Sequence, residues 1–64
     1  MIIVARTEDD EYLFWGGTDW EDSPDYAEEY GSYEGSFEMG KLRVIYIDDG
    51  KTYNGTRIVS IYEI

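Results

Sequence analysis

From Glu8 to Glu38 the chain carries twelve carboxylates and not one Lys, Arg or His. No other feature constrains its folding more. A one-signed run of this density costs stability through self-repulsion, so its members must stay in water. All five basic residues lie outside the run, at Arg6, Lys41, Arg43, Lys51 and Arg57. Burial then falls to the β-branched runs near the two ends and to large rings. Two Trp, seven Tyr and two Phe are too many rings for a disordered acidic tail.

Sixty-four residues make a single domain, 1–64, with a small core and no room for a large catalytic cleft. There is no cysteine, hence no disulfide and no thiolate metal site, which fits a reducing cytoplasm. The opening Met1-Ile2-Ile3-Val4-Ala5-Arg6 does not read as a signal peptide, because its apolar run is four residues long and acids follow at once. No apolar segment approaches the roughly 20 residues of a membrane span. A net charge of -10 argues against a nucleic acid or an anionic membrane as direct ligand.

Ile2-Ile3-Val4-Ala5 and Tyr12-Leu13-Phe14-Trp15 read as strands joined by an Asp9-Asp10 turn, giving a hairpin of 2–7 against 12–16. Ser23-Pro24-Asp25 carries the signals of a helix start, with Ser as cap, Pro in the first position and an acid in the first turn. The spacing predicts a short helix over about 23–30, closed by Gly31, with Tyr26 and Tyr30 on the face that packs on the sheet. Residues 31–40 read as a loop or, in preference, an edge strand from Tyr33 to Met39. Tyr33, Gly35, Phe37 and Met39 there alternate with Glu34, Ser36 and Glu38. Leu42–Ile47 is the strongest strand signal, expected beside or paired with the final strand 57–63. Asn54-Gly55 marks a type I′ turn. Residues 51–53 are either a short strand between two tight turns or part of one longer loop, 48–56. The sum is an α+β fold: a twisted antiparallel sheet of four to five strands with one short helix.

No Ser-His or Cys-His pair can exist without His or Cys, and no serine sits beside a base, so catalysis is not expected. Asp19-Trp20-Glu21-Asp22 and Asp48-Asp49-Gly50 offer hard oxygen donors, but neither has the spacing of a calcium loop. No cofactor and no functional metal site is expected.

The candidate site is a partner-binding surface of Asp9, Asp10, Glu11, Asp19, Glu21, Asp22, Asp25, Glu28, Glu29, Glu34 and Glu38, with Trp20 and Tyr33 as exposed aromatic anchors. Alternate residues on a strand lie about 6.6 Å apart, and residues three or four apart on a helix about 5–6 Å. Both compare with the separation of successive charges along a nucleic-acid strand. Such a surface could stand in for a row of phosphates before a basic groove, binding in a salt-sensitive, competitive way.

In size, charge and the 8–38 acid run, though in no shared motif, the chain resembles the small acidic inhibitors that phages deploy against bacterial defence, the anti-CRISPR and anti-restriction DNA mimics. The resemblance implies a host nuclease or RNA-guided complex as partner, and it transfers no residue role. The expectation is therefore a monomeric, non-enzymatic, cytoplasmic inhibitor of a nucleic-acid-binding protein. A small regulatory module that binds protein through exposed aromatics or a free sheet edge is the alternative. Adaptation to high salt is a third reading, against which the base-free block tells.

Overall fold

A computed structural model describes all residues 1–64. The first apolar run forms strand β1, Ile3–Thr7, and the second forms β2, Tyr12–Trp15. They pair antiparallel with Val4 opposite Phe14 and Arg6 opposite Tyr12, so the expected hairpin is present. Its turn places Asp10 at φ 62, a left-handed conformation that Asp tolerates better than most residues. The buried Thr7 hydroxyl accepts from the backbone N–H groups of Asp9 and Glu11, at 3.3 and 3.2 Å, and so pins four consecutive acids at the surface.

A two-residue strand β3, Trp20–Glu21, pairs with the end of β2, Trp20 opposite Trp15. After the helix, β4, Thr52–Tyr53, turns through Asn54 and Gly55, at φ 51 and 76, into β5, Thr56–Glu63. Two consecutive positive φ values are what a type I′ turn requires, as the Asn-Gly pair signals. The sheet order is β3-β2-β1-β5-β4, all antiparallel. Between Arg6 and Thr7 the β1–β5 register slips: Ser60 opposes Arg6 but Ile58 opposes Thr7. The bulge leaves Val59 as the extra residue, exposed, and turns Ile58 into the core beside Ile61. The sheet curls until its two edges meet, where the Tyr53 hydroxyl donates to the Trp20 carbonyl at 3.1 Å.

Across the concave face runs one helix. It is α-helical over Ser32–Arg43 and widens to a π-helix over Val44–Asp48, seventeen residues together, and is called α1 below. Gly35, Met39, Leu42 and Tyr46, spaced four, three and four, form the face it sets on the sheet. The Gly35 site is tight because Met1 lies against it; a Cβ there would clash with the Met1 side chain. Met1 is itself clamped, its backbone and ammonium exchanging hydrogen bonds with Tyr30 at 2.8 Å each. The core is Ile3, Ala5, Trp15, Trp20, Leu42, Tyr46, Ile58 and Ile61. Trp20 meets Trp15 and Tyr46 edge-to-face, with ring centroids 5.0 and 5.7 Å apart.

The α+β class and the antiparallel sheet stand, but the helix lies elsewhere. Ser23 does cap, accepting from the Asp25 N–H at 3.2 Å, yet only one 3-10 turn follows, Pro24–Tyr26. The chain then extends, because Glu28 N–H bonds to the Trp15 carbonyl and Tyr30 to Met1, tertiary partners that displace a local helix. Tyr26 is left 68 % exposed rather than packed on the sheet, and Gly31 starts a helix instead of ending one. The strands expected over 33–39 and 42–47 are both helix. The alternation in 33–39 and the β-branched Val44, Ile45 and Ile47 favour strand locally. The seat made by Gly35, Met39, Leu42 and Tyr46 overrides them. The strand paired with 57–63 is β1, and 42–47 lies beside it as helix, the other arrangement expected.

Candidate acidic binding surface

Two of the fifteen carboxylates are ion-paired. Asp10 meets Arg6 at 3.0 Å and Glu38 meets Lys41 at 3.1 Å. Asp9, Asp10 and Glu11 stand in the β1–β2 turn, Asp19 and Asp22 flank β3, and Asp25, Glu28 and Glu29 lie on the connection to α1. These and Glu34, in the first turn of the helix, are all exposed; Glu21 and Glu38 are half-buried. The acid run is thus carried on turns and connections, where an unsatisfied carboxylate keeps its water.

Three of these acids converge. The curl of the sheet opens a cavity of about 410 Å³ between β2, β3 and the β4–β5 hairpin. Glu11 enters it from the hairpin turn, Glu21 from β3 and Asp22 from just beyond, over walls given by Leu13, Trp20 and Tyr53. No Lys or Arg lines it. Burial holds the Tyr53 hydroxyl above its ordinary value of 10.0, and the negative charges of Asp19 and Glu21 push it the same way. A cavity lined by three carboxylates, by Thr7, Asn54 and Thr56, and by the apolar surfaces of Leu13, Trp20 and Tyr53 has the chemistry to take a cation on an aliphatic stem, as in Arg or Lys. No group of three His, Cys, Asp or Glu is arranged to hold a metal ion.

A second group of acids serves the fold. The Trp15 indole N–H donates to Glu38 at 2.9 Å, and Lys41 pairs with the other carboxylate oxygen. The hydrogen bond from Trp15 holds the Glu38 pKa below its ordinary 4.5 against the opposing effect of burial, and Lys41 adds to the lowering. Tyr30 nearby is raised above 10.0 by burial and by Glu38 and Glu28. Glu38 therefore already has its partners inside the chain.

The residues expected on the binding surface part ways here. Glu11, Glu21 and Asp22 meet at one cavity, with Asp19 close enough to act on Tyr53. Trp20 is not an exposed anchor: it is 3 % exposed, with its backbone carbonyl bonded to Tyr53. Its indole N–H is buried without a hydrogen-bond partner. Tyr33 is 86 % exposed, on the helix and away from the cavity. Tyr53 was missed. Its signal was the Asn54-Gly55 turn, which folds β4 back on β5.

Fold and site together define an α+β protein with a curled five-stranded antiparallel sheet, one helix and an acid-lipped cavity. No family model, no curated protein and no solved structure matches the chain. No helix is long and apolar enough to cross a membrane.

Proposed function

We propose that the protein is a non-enzymatic inhibitor that occupies the basic, nucleic-acid-binding surface of a partner protein, its carboxylates standing in for phosphates. The observation that carries this reading is the convergence of Glu11, Glu21 and Asp22, from three segments, on an open cavity to which the chain supplies no cation of its own. A guanidinium or ammonium group of the partner fits there, with its stem against Leu13 and Tyr53. The unpaired acids of the β1–β2 turn and of the 19–29 connection extend the field over the surrounding surface. That field speeds association and neutralises a groove built for DNA or RNA. The partner class this chemistry suits is a bacterial nuclease or RNA-guided complex, as the resemblance to phage inhibitors implies.

The test is capture of a DNA-binding complex from bacterial lysate, repeated with excess duplex DNA and with the Glu11→Gln/Glu21→Gln/Asp22→Asn variant. The reading expects the wild type to capture a complex that DNA displaces, and the variant to lose most of that capture. Capture indifferent to DNA, to salt and to the triple change would refute it.

One observation favours the second reading, a module that binds by strand addition. β4 covers only Thr56 and Arg57 of β5, so 58–63 is paired on one side alone. That edge is partly guarded by Arg43, whose guanidinium donates to the Ile61 carbonyl at 2.9 and 3.3 Å. Strand addition would show little salt dependence.

A further inference from the structure

The helix has a second apolar stripe, opposite the one that seats it. Tyr33, Phe37, Gly40 and Val44 repeat the four, three, four spacing of the buried face, and all four are exposed, Tyr33 at 86 %, Phe37 at 66 % and Val44 at 50 %. Large rings held this far out of the core are unusual for a monomer, and a heptad-spaced stripe is the seam that packs helix on helix.

We infer that this face pairs with the same face of a second copy, α1 against α1, antiparallel about a two-fold axis. That orientation sets ring against glycine, whereas a parallel pair would set Phe37 against Phe37 and leave Gly40 against Gly40. Tyr33 opposite Val44 and Phe37 opposite Gly40 share a single midpoint, so each Phe37 ring falls on the bare backbone of the other copy's Gly40. Nothing lies within 4 Å of a Cβ built at Gly40, so the hole is open. Charge agrees. Glu34 and Lys41 are seven residues apart and so stand on one flank of the stripe. An antiparallel two-fold brings each flank against itself, which sets Glu34 of one copy near Lys41 of the other, twice. Lys41 stands at the rim of the stripe, 3.1 Å from Glu38 and 5.7 Å from the centre of the Phe37 ring. The two rings from each copy offer roughly 600 Å² in all, the scale of a weak, reversible interface. The surface lies apart from the acidic cavity, so the inference does not rest on the proposed function. It departs from the monomer expected of the sequence.

Salt separates the two. Each copy carries a net charge of -10, so screening strengthens self-association, whereas it weakens binding to a basic partner. The experiment is sedimentation of the whole chain from ~10 µM to ~1 mM, in about 0.05 M and about 0.5 M NaCl. The wild type is expected to shift from monomer to dimer with concentration, several-fold more tightly at the higher salt. Phe37→Ala and Gly40→Gln, both at exposed positions, should each weaken it at least tenfold while the circular dichroism stays unchanged. Glu34→Lys should weaken it too, although it replaces a negative charge by a positive one in each copy and would tighten a contact governed by net charge alone. Adding Lys41→Glu to it should restore wild-type association. A monomer across the whole range at high salt overturns the inference. So does a dimer indifferent to Phe37→Ala and Gly40→Gln, or a charge exchange that does not restore association.

Discussion

The Trp15–Glu38–Lys41 chain makes a prediction whose size follows from its geometry. Replacing Glu38 by Ala strands the indole N–H of Trp15, a residue only 8 % exposed, without its acceptor at 2.9 Å. An unsatisfied buried donor costs about 1–3 kcal/mol. Losing the pair with Lys41, whose side chain is 58 % exposed, adds only about 0.3–0.5 kcal/mol. The expected loss for Glu38→Ala is therefore about 1.3–3.5 kcal/mol, out of a total of roughly 3–10 kcal/mol for a domain of this length. Glu38→Gln keeps an acceptor but gives up the charge, and should cost about half as much. The sign of the pH dependence is fixed by the lowered pKa. The carboxylate's contribution is fully present above its ordinary 4.5 and is lost as the pH falls through the lower folded value. Other carboxylates oppose this, because protonating a crowded acidic surface relieves repulsion. The quantity to read is thus the difference between wild type and Glu38→Gln, from urea unfolding followed by Trp fluorescence at a series of pH values. That difference should be constant near neutrality and shrink toward zero in acid. A difference that does not change with pH, or a Glu38→Ala protein within about 0.5 kcal/mol of wild type, would show that the indole and carboxylate do not support each other.

Two glycines of one helix should respond unequally. Gly40→Ala, with open space around the new methyl, should stabilise by about 1 kcal/mol in dilute urea titrations, whereas Gly35→Ala must displace Met1 and should fall short of that gain or reverse it; equal gains would contradict the Met1 packing. Raising NaCl from low concentration to about 0.2 M should raise the melting temperature by screening the unpaired carboxylates, and a fall over that range would contradict repulsion among them.

Much of the outer frame was legible from local chemistry. The Asp9-Asp10 turn, the 2–7 and 12–16 hairpin, the Asn54-Gly55 turn and the last strand each rest on residues whose preferences agree with their neighbours'. Ser23 was also read correctly as a cap, although the helix it was expected to start is a single turn. The site was half legible. That the acids face water followed from their number, but which of them meet did not. Glu11 and Glu21 are set on one side by the β2–β3 pairing, and the cavity between them and Tyr53 closes only because the sheet curls until β4 meets β3, a long-range event marked by the Tyr53–Trp20 hydrogen bond.

The sequence by itself determined which segments could not be buried and where the chain had to turn, since charge density and left-handed turn residues act within a few positions. The tertiary structure decided the state of 32–48. Over Tyr33–Met39 the apolar residues alternate at a period of two and so fall on both sides of the helix, and Val44, Ile45 and Ile47 lean toward strand. Helix wins because Gly35 admits Met1 and because Leu42 and Tyr46 complete the core against Trp20. Those partners are distant in sequence, and no local pattern contains them.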